Sequence, residues 1–396
     1  MDQSGPLGRV NVCMLVLDDV QHDTRVLKEA ECLEAAGARV QIIGMSDTDR
    51  VDLPDLPSRV SFVPSQRRSR LGFPPLRFAM DLGYELSFQR DLARRAAATR
   101  ADVYHCHDLQ TVWAGLRAAG RRAHVVYDSH ELFTERVGIA PWRAVVLGRY
   151  ERYALHRVSL VIAASELRAR IMHREYGAPR LPVTILNAAR LSEAIDAPHP
   201  GAVEARRAIA APHVILYQGG LHRGRGLGAV IDGLELLPQG YALVLMGGGH
   251  FRGELADRIR ASGLGDRVHL WPAVPPSEVV AWAAAADAGV VSYLPVCRNS
   301  IYCAPNKLSE YAAAGLPVLG ADLIGLRWYT DRYDVGEVFT PGDAASFAAA
   351  ARRLLEDPQR SGRARAESRR LLSDVHWEDQ ADRLVRSYAQ MLGRTG

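Results

Sequence analysis

Lys307 falls in the first turn of a short Ala-rich segment, "CAPNKLSEYAAAGLPV" at 303–318. Pro305 and Asn306 open the segment, Gly315 closes it and Pro317 follows, which are the start and stop signals of a helix. Asn306 is placed to cap that helix. The N-terminal end of a helix is partially positive, so a lysine there is repelled unless an anion shares the site. Glu310, one turn on, either pairs with Lys307 on the surface, which contributes only ~0.2–0.5 kcal/mol, or accepts hydrogen bonds from a hydroxylated group beside that anion. Two sister loops carry related chemistry. In "YQGGLHRGRGL" (217–227), Gly219 and Gly220 are followed by Arg223 and Arg225. Glycines admit a ligand to the backbone, and arginine grips phosphate with two hydrogen bonds. In "LVLMGGGHFRGEL" (243–255), Gly247, Gly248 and Gly249 join a buried run to a helical pattern. The first loop matches neither the dinucleotide nor the P-loop spacing; its alternative is a flexible surface loop with solvated arginines, and that of the second is a tight turn. Taken together, the three junctions predict one anionic ligand, and a diphosphate on a nucleotide fits it best.

The first half of the chain supplies a different set. "DDVQHDTRVLKEA", "HCHDLQT" and "YDSHELF" place His22, Asp23, Arg25, His107, Asp108, Asp128, His130 and Glu131 at strand ends. This density of ionisable groups suits a hydroxylated molecule and proton handling. His105 and His107 point the same way on a strand, which leaves a metal site open there. No third and fourth ligand follow at known spacing, so no metal is expected. Asp47-Thr48-Asp49 reads as a solvated turn.

Short apolar runs alternate with helical patterns along the whole chain. Strand candidates in the first half are 10–17, 38–43, 59–63, 102–107, 124–127, 159–163 and 183–186. In the second half they are 213–217, 241–246, 267–271, 288–292, 317–320 and 335–339. This is the pattern of βαβ units and parallel sheets, here two α/β units in tandem. The polar, Ala-rich stretch at 190–212 carries three prolines and reads as an interdomain linker. The expected division is 1–200, 210–375, and a closing helix at 376–396 packed back on the first domain.

The 396 residues are 48 % apolar and 24 % charged, which is ordinary for a soluble globular protein. The net charge of +4 and a pI near 8.8 are compatible with an anionic substrate or an acidic membrane surface and too weak to indicate nucleic acid. Five cysteines without CxxC spacing exclude a disulfide framework and predict a reducing cytoplasm. The N-terminus shows no signal-peptide run and no segment approaches the ~20 apolar residues of a membrane span.

"YQGGLHRGRGL", "LVLMGGGHFRGEL", "RVHLWPAVPPSEV" and "PNKLSEYAAAGLPV", in that order, resemble the donor-binding half of glycosyltransferase family 4, in a branch with the PNKLxEY motif. "DTRVLKEAECLEAAG", "HCHD" and "YDSHE" are similar to its first half. The resemblance implies the GT-B fold, two Rossmann-like parallel-sheet domains facing a central cleft, and retaining transfer from a nucleotide-diphosphate sugar. It implies that Arg225 and Lys307 hold the diphosphate, with Gly219, Gly220, Arg223, Gly247 and Gly249 around it. It implies that Glu310 binds the ribose, that backbone at Trp271, Ala273 and Val274 reads the base, and that His130 lies near the donor sugar. His22, Asp23, Arg25, His107 and Asp108 then fall on the acceptor side. Two positions depart from the family pattern. Tyr302 stands where many members carry a glutamate, and Gly220 where many carry a phosphate-binding arginine, with Arg223 and Lys307 as the substitutes at hand.

The expected activity is therefore metal-independent, retaining transfer of a sugar to a hydroxyl acceptor, with no cofactor. A GT-B sugar-nucleotide epimerase and a non-catalytic nucleotide-sugar sensor are the alternatives. The stretch "PSQRRSRLGFPPLRFAM" (64–80) mixes four arginines with Leu71, Phe73, Leu76 and Phe78. It reads either as a basic loop near the acceptor or as a peripheral contact with the inner face of the membrane and a lipid-linked acceptor. The sequence leaves donor base, sugar, acceptor and oligomeric state open.

Overall fold

The computed structural model of the chain describes residues 5–17, 20, 23–46, 59–64, 74–195 and 197–394, the side chains of 45, 46, 59, 60, 62–64 and 74–85 excepted. His22, Asp47-Thr48-Asp49 and residues 65–73 of the arginine-rich stretch therefore lie outside the described residues.

The chain divides into two units, Met1–Asn187 with Gln380–Gly396, and Ala188–Asp379. In the first, seven strands form one parallel sheet: β1 (Asn11–Leu15), β2 (Arg39–Ser46), β3 (Arg59–Pro64), β4 (Val103–His107), β5 (His124–Ser129), β6 (Leu160–Ala163) and β7 (Val183–Thr184). Their order across the sheet is β3-β2-β1-β4-β5-β6-β7. In the second, six parallel strands run β10-β9-β8-β11-β12-β13. These are β8 (His213–Gln218), β9 (Tyr241–Met246), β10 (Val268–Trp271), β11 (Ala288–Val291), β12 (Val318–Ala321) and β13 (Gly336–Phe339). Helices cover both sheets, which is why the central strands read as unbroken apolar runs instead of alternating ones. Every residue of β9, "YALVLM", is buried. In each unit the order reverses beside the first strand, and the loops leaving the strand C-termini there are where ligands of open α/β sheets bind.

The expected linker is corrected. Residues 190–212 fold with the second unit, and the first crossing of the chain lies at Asn187–Ala188, not near residue 200. His199 donates its backbone N–H to the Ala281 carbonyl (2.9 Å) and stacks its ring on Trp282. Ala202 and Ile209 are buried in this packing, so three prolines shape an ordered connection here. The closing helix, Trp377–Met391, starts on the second unit, where the Trp377 N–H donates to the Ala189 carbonyl (2.8 Å). From Gln380 onward it belongs to the first unit. There Gln380 Oε1 accepts from the Leu186 N–H (3.1 Å) and Arg383 donates to the Thr184 carbonyl (3.1 Å).

Candidate functional site

The second unit gathers its cationic residues around two glycine loops. The loop after β8 and the loop after β9 lie directly on each other: the Gly219 N–H donates to the Met246 carbonyl (2.9 Å) and the Leu221 N–H to the Gly248 carbonyl (2.8 Å). Gly247 and Gly249 hold φ of 147° and 144°. A Cβ on Gly247 would meet the Gly219 oxygen at 2.1 Å, and one on Gly249 the Leu221 oxygen at 2.4 Å. These two glycines thus serve the contact between loops, while the space over Gly248 is open.

Lys307 lies against this pair of loops. The helix that carries it is Asn306–Ala313. Its N-cap is Pro305, and no side chain caps it. The expectation that Asn306 caps is corrected: Asn306 is the first helical residue and its carbonyl accepts from Ser309 Oγ (2.9 Å). The Leu308 N–H donates to the Pro305 carbonyl (3.2 Å), while the N–H groups of Asn306 and Lys307 make no hydrogen bond among the described residues and are left to an external acceptor. Lys307 is buried, with Nζ 3.1 Å from where a Gly219 Cβ would sit. The same ammonium lies 5.0 Å from the Tyr217 ring centre and 5.8 Å from that of Tyr293. Arg225, half-buried, stacks on the same Tyr293 at 4.2 Å. Burial, and after it the Arg225 charge, push Lys307 down to about 8, while Glu310 and Cys303 oppose the shift. The site is electropositive and ready for an anion.

Sequence reasoning missed three contributors here. The His222 ring fills the space over Gly220, its Nε2 2.6 Å from where a Cβ would begin, and lies 5.0 Å from the ring of His250. A side chain at position 220 would require the exposed His222 ring to swing aside. Burial, then Arg225, His250 and Lys307, push His222 down. The signal was the histidine inside the Gly/Arg loop itself. The third is Gln218 at the end of β8, whose Nε2 donates to Glu310 Oε2 at 2.6 Å. Gln218 is buried, and its Oε1 has no hydrogen-bond partner among the described residues. Tyr311 locks the helix to the sheet by donating to the Leu216 carbonyl (3.1 Å) and accepting from the Gln218 N–H (3.3 Å). Its ring lies where any side chain on Gly289 would project.

The other nominated donor residues are placed less centrally. Arg223 pairs with Glu254 (2.5 Å) and lies over Phe251, 70 % of its side chain exposed. It is engaged away from Lys307, so His222 and not Arg223 fills the place over Gly220. The Trp271 carbonyl is taken by Arg252 (2.9 Å) and the Gly247 N–H (3.2 Å). The backbone of Ala273 and Val274 makes no backbone–backbone hydrogen bond among the described residues. Tyr302 caps the short helix Arg298–Ile301 with Arg298 over its ring at 5.7 Å.

The first unit centres on Asp128, at the end of β5. Arg25, on the helix Thr24–Ala35, clamps it bidentately (Nε–Oδ2 2.8 Å, Nη2–Oδ1 2.7 Å) and donates Nη1 to the Ile185 carbonyl (2.7 Å). Arg25 also pairs with Glu29 (3.1 Å) and is 3 % exposed. The expectation that Arg25 touches an acceptor is corrected: it is a buried strut for Asp128. Burial alone would raise Asp128, but Arg25 and then His130 hold it well below the usual carboxylate range. His130 Nε2 lies 3.1 Å from Asp128 Oδ2 and 3.0 Å from His107 Nδ1, and its Nδ1 faces Asp23 at 4.0 Å. Burial pushes His130 down, but Asp128 and Asp108 outweigh it and raise the imidazole to about 10. The two carboxylates thus favour the imidazolium form of His130, which acts as a hydrogen-bond donor.

Asp23 and Asp108 support this group. Asp23 Oδ1 caps the helix by accepting from the N–H of Arg25 (3.1 Å) and Val26 (3.2 Å). Asp108 Oδ1 accepts from the His130 N–H (3.1 Å), while Asp108 itself sits at φ 60°, a conformation side chains rarely adopt. Behind them, His105 and His107 stack at 4.4 Å, and the Tyr388 hydroxyl of the closing helix lies 2.7 Å from His105 Nδ1. Burial, then Asp128, raise Glu29 to about 8. Glu29, His105, His107 and Asp128 bring ligand atoms within 4.8 Å of one another. The third and fourth groups that sequence spacing could not supply are therefore assembled by the fold. Arg25 chelates Asp128 and pairs with Glu29 at 3.1 Å, while both Glu29 carboxylate oxygens and the Nε2 atoms of His105 and His107 have no hydrogen-bond partner among the described residues.

Comparisons with known proteins place the chain by family and fold. The family model described as Glycosyltransferase Family 4 matches residues 23–189, and that described as Glycosyl transferases group 1 matches residues 212–357. A D-inositol 3-phosphate glycosyltransferase of Xylanimonas cellulosilytica is 27 % identical over 323 residues, covering 76 % of this chain and 75 % of that one. A glycogen synthase of Mycobacterium tuberculosis is 30 % identical over 190 residues, 46 % of this chain and 44 % of its own. Among solved structures, a sucrose-phosphate synthase from Thermosynechococcus elongatus superposes with a TM-score of 0.77 at 19 % identity, over 98 % of this chain and 100 % of that one. Anabaena HepE in complex with UDP and glucose gives 0.76 at 17 % identity, over 96 % and 100 %. At these identities the structural likeness speaks for the fold, which is GT-B.

Proposed function

Because this chain belongs to glycosyltransferase family 4, we propose that it moves a sugar, with retention at the anomeric carbon, from a nucleoside diphosphate sugar to a hydroxyl acceptor. The observation that carries this reading is Lys307, a buried ammonium beside Arg225 at an uncapped helix start. Burying a cation next to another cation is costly unless an anion compensates, and a diphosphate brings enough charge for both. Glu310, held by Gln218, then accepts from the ribose hydroxyls.

In the reaction, the bond from the sugar C1 to the phosphate oxygen breaks and the acceptor oxygen bonds to C1 on the same face. The acceptor proton passes to the departing phosphate oxygen. Negative charge grows on the diphosphate as this happens. Arg225, Lys307 and the first-turn N–H groups stabilise it most when it is largest, which is what accelerates the step. In this reading fixed protein cations meet the charge and no metal is needed. His130, kept protonated by Asp128, donates to a substrate oxygen and takes no proton.

The test is a panel of UDP-, GDP-, ADP- and dTDP-sugars, with retained ligand identified by mass spectrometry and acceptors offered as polyol phosphates and lipid-linked alcohols. NMR of the product should show the donor's anomeric configuration. Arg225→Ala should lose ~10²–10³ in rate, as loss of an oxyanion donor does elsewhere. An unchanged rate sinks the phosphate assignment. Isomerised donor without acceptor would identify an epimerase, and binding without any turnover a sensor.

A further inference from the structure

The helix Pro141–Leu155, between β5 and β6, turns its apolar side chains to water. Trp142 is 57 % exposed, Val145 and Val146 are each 55 % exposed, and Tyr153 is 52 % exposed. At helical spacing these four fall on one stripe, with Arg149 among them and Arg143 and Arg152 bordering it on either side. All three arginines are exposed. Val137, just ahead of the helix, extends the apolar surface. The opposite face is the one that packs: Ala154 and Leu155 are buried, and so is Glu151, the single acid of the helix, which accepts from the Tyr127 hydroxyl (2.8 Å). Every exposed charge on this helix is therefore positive.

Scattered apolar residues on a surface need no explanation, but a contiguous stripe does. Its charge decides the occupant. A second copy docking isologously would set the arginines of one face against those of the other, which repels. An anionic bilayer surface meets both halves of the pattern: apolar side chains enter the headgroup boundary, and long arginines flanking them reach up to phosphate. We propose that the helix Pro141–Leu155 docks this chain on an anionic lipid surface, with Trp142, Val145, Val146 and Tyr153 inserted and Arg143, Arg149 and Arg152 on lipid phosphates. Among the described residues no helix is long and apolar enough to cross a membrane, so the contact is peripheral. The inference stands on this face and does not rest on the transfer reading.

The experiment is sedimentation of the full chain with vesicles of phosphatidylglycerol mixed with phosphatidylcholine, against phosphatidylcholine alone, at low and high salt. The chain should pellet with the anionic vesicles and be released by salt. Arg143→Glu/Arg149→Glu should weaken binding roughly tenfold or more, and Val145→Asp/Val146→Asp should abolish it. Unchanged melting temperatures verify that both variants fold. Three outcomes overturn the proposal. They are no pelleting with anionic vesicles, equal pelleting with neutral ones, or a concentration-dependent dimer that Val145→Asp/Val146→Asp disrupts while vesicles are ignored.

Discussion

Gln218 orients Glu310: the buried amide at the end of β8 donates to the carboxylate one turn inside the helix Asn306–Ala313, at 2.6 Å and across 92 residues of sequence. A carboxylate that must accept from two vicinal hydroxyls is more effective when its rotamer is fixed in advance. Gln218→Leu removes the clamp and leaves Glu310 in place. The nucleotide-sugar KM should rise about tenfold with kcat nearly unchanged, the size of one hydrogen bond to a charged group. Preference for ribonucleotide over 2′-deoxyribonucleotide donors should fall with it. Unaltered discrimination would separate Glu310 from the ribose.

Lys307 predicts a pH dependence of donor affinity. In the unliganded protein burial and Arg225 bring it down to about 8. A bound diphosphate holds the proton on, so the complex keeps Lys307 charged to higher pH. Below 8 the affinity should be flat on this account. Above 8 the unliganded protein must take up a proton to bind, and Kd should weaken by up to about tenfold per pH unit. Calorimetry with a nucleotide sugar, whose diphosphate does not titrate in this range, reads the slope directly. Lys307→Met should weaken binding at pH 7 and abolish the alkaline slope. His222, pushed down by burial and by Arg225, His250 and Lys307, should add tighter binding as pH falls below neutrality, and His222→Ala should remove that part alone.

The His130–Asp128 pair predicts a stability slope of the opposite kind. His130 is raised to about 10 against its ordinary 6.5. The folded state therefore binds more protons than the unfolded one between those values, and stability falls as pH rises from 6.5 toward 10. Glu29, raised to about 8, adds the same sign at lower pH, while Lys307 opposes it above 8. The difference between wild type and His130→Gln isolates the histidine. Wild type should lose more melting temperature than the variant between pH 6.5 and 9.5. Parallel curves would mean that His130 is not held as an imidazolium.

Adjacent glycines in "GGG" should differ sharply. Gly247→Ala puts a methyl 2.1 Å from the Gly219 oxygen at a φ of 147°, and should cost about 2 kcal/mol or more. Gly248→Ala meets nothing within 4 Å and should leave the melting temperature within a degree or so of wild type. Donor binding should follow the same split, because the loop against Lys307 is supported by the loop that Gly247 closes.

The sequence by itself determined the two parallel sheets and the loops that carry the donor residues. Apolar runs such as "YALVLM" alternate with amphipathic helices, and burial on both faces leaves such runs few other structures to adopt. It marked Lys307 as misplaced, because a helix start repels a lysine whatever surrounds it. Only the tertiary structure decided which groups meet. His222 fills the space over Gly220 by the fold of one tight loop, and Arg223 is drawn off to Glu254. Arg25 and Asp128 lie 103 residues apart, and both read as strand-end groups suited to a hydroxylated ligand, whereas burial makes them a strut and its anchor. The Tyr388 hydroxyl, 283 residues from His105, joins the same network through the closing helix. Periodicity and capping are local and are written in neighbouring residues. Contacts of long sequence separation depend on how sheets and helices pack, and so do the protonation states of His130, Glu29 and Lys307, because burial and facing charges set them.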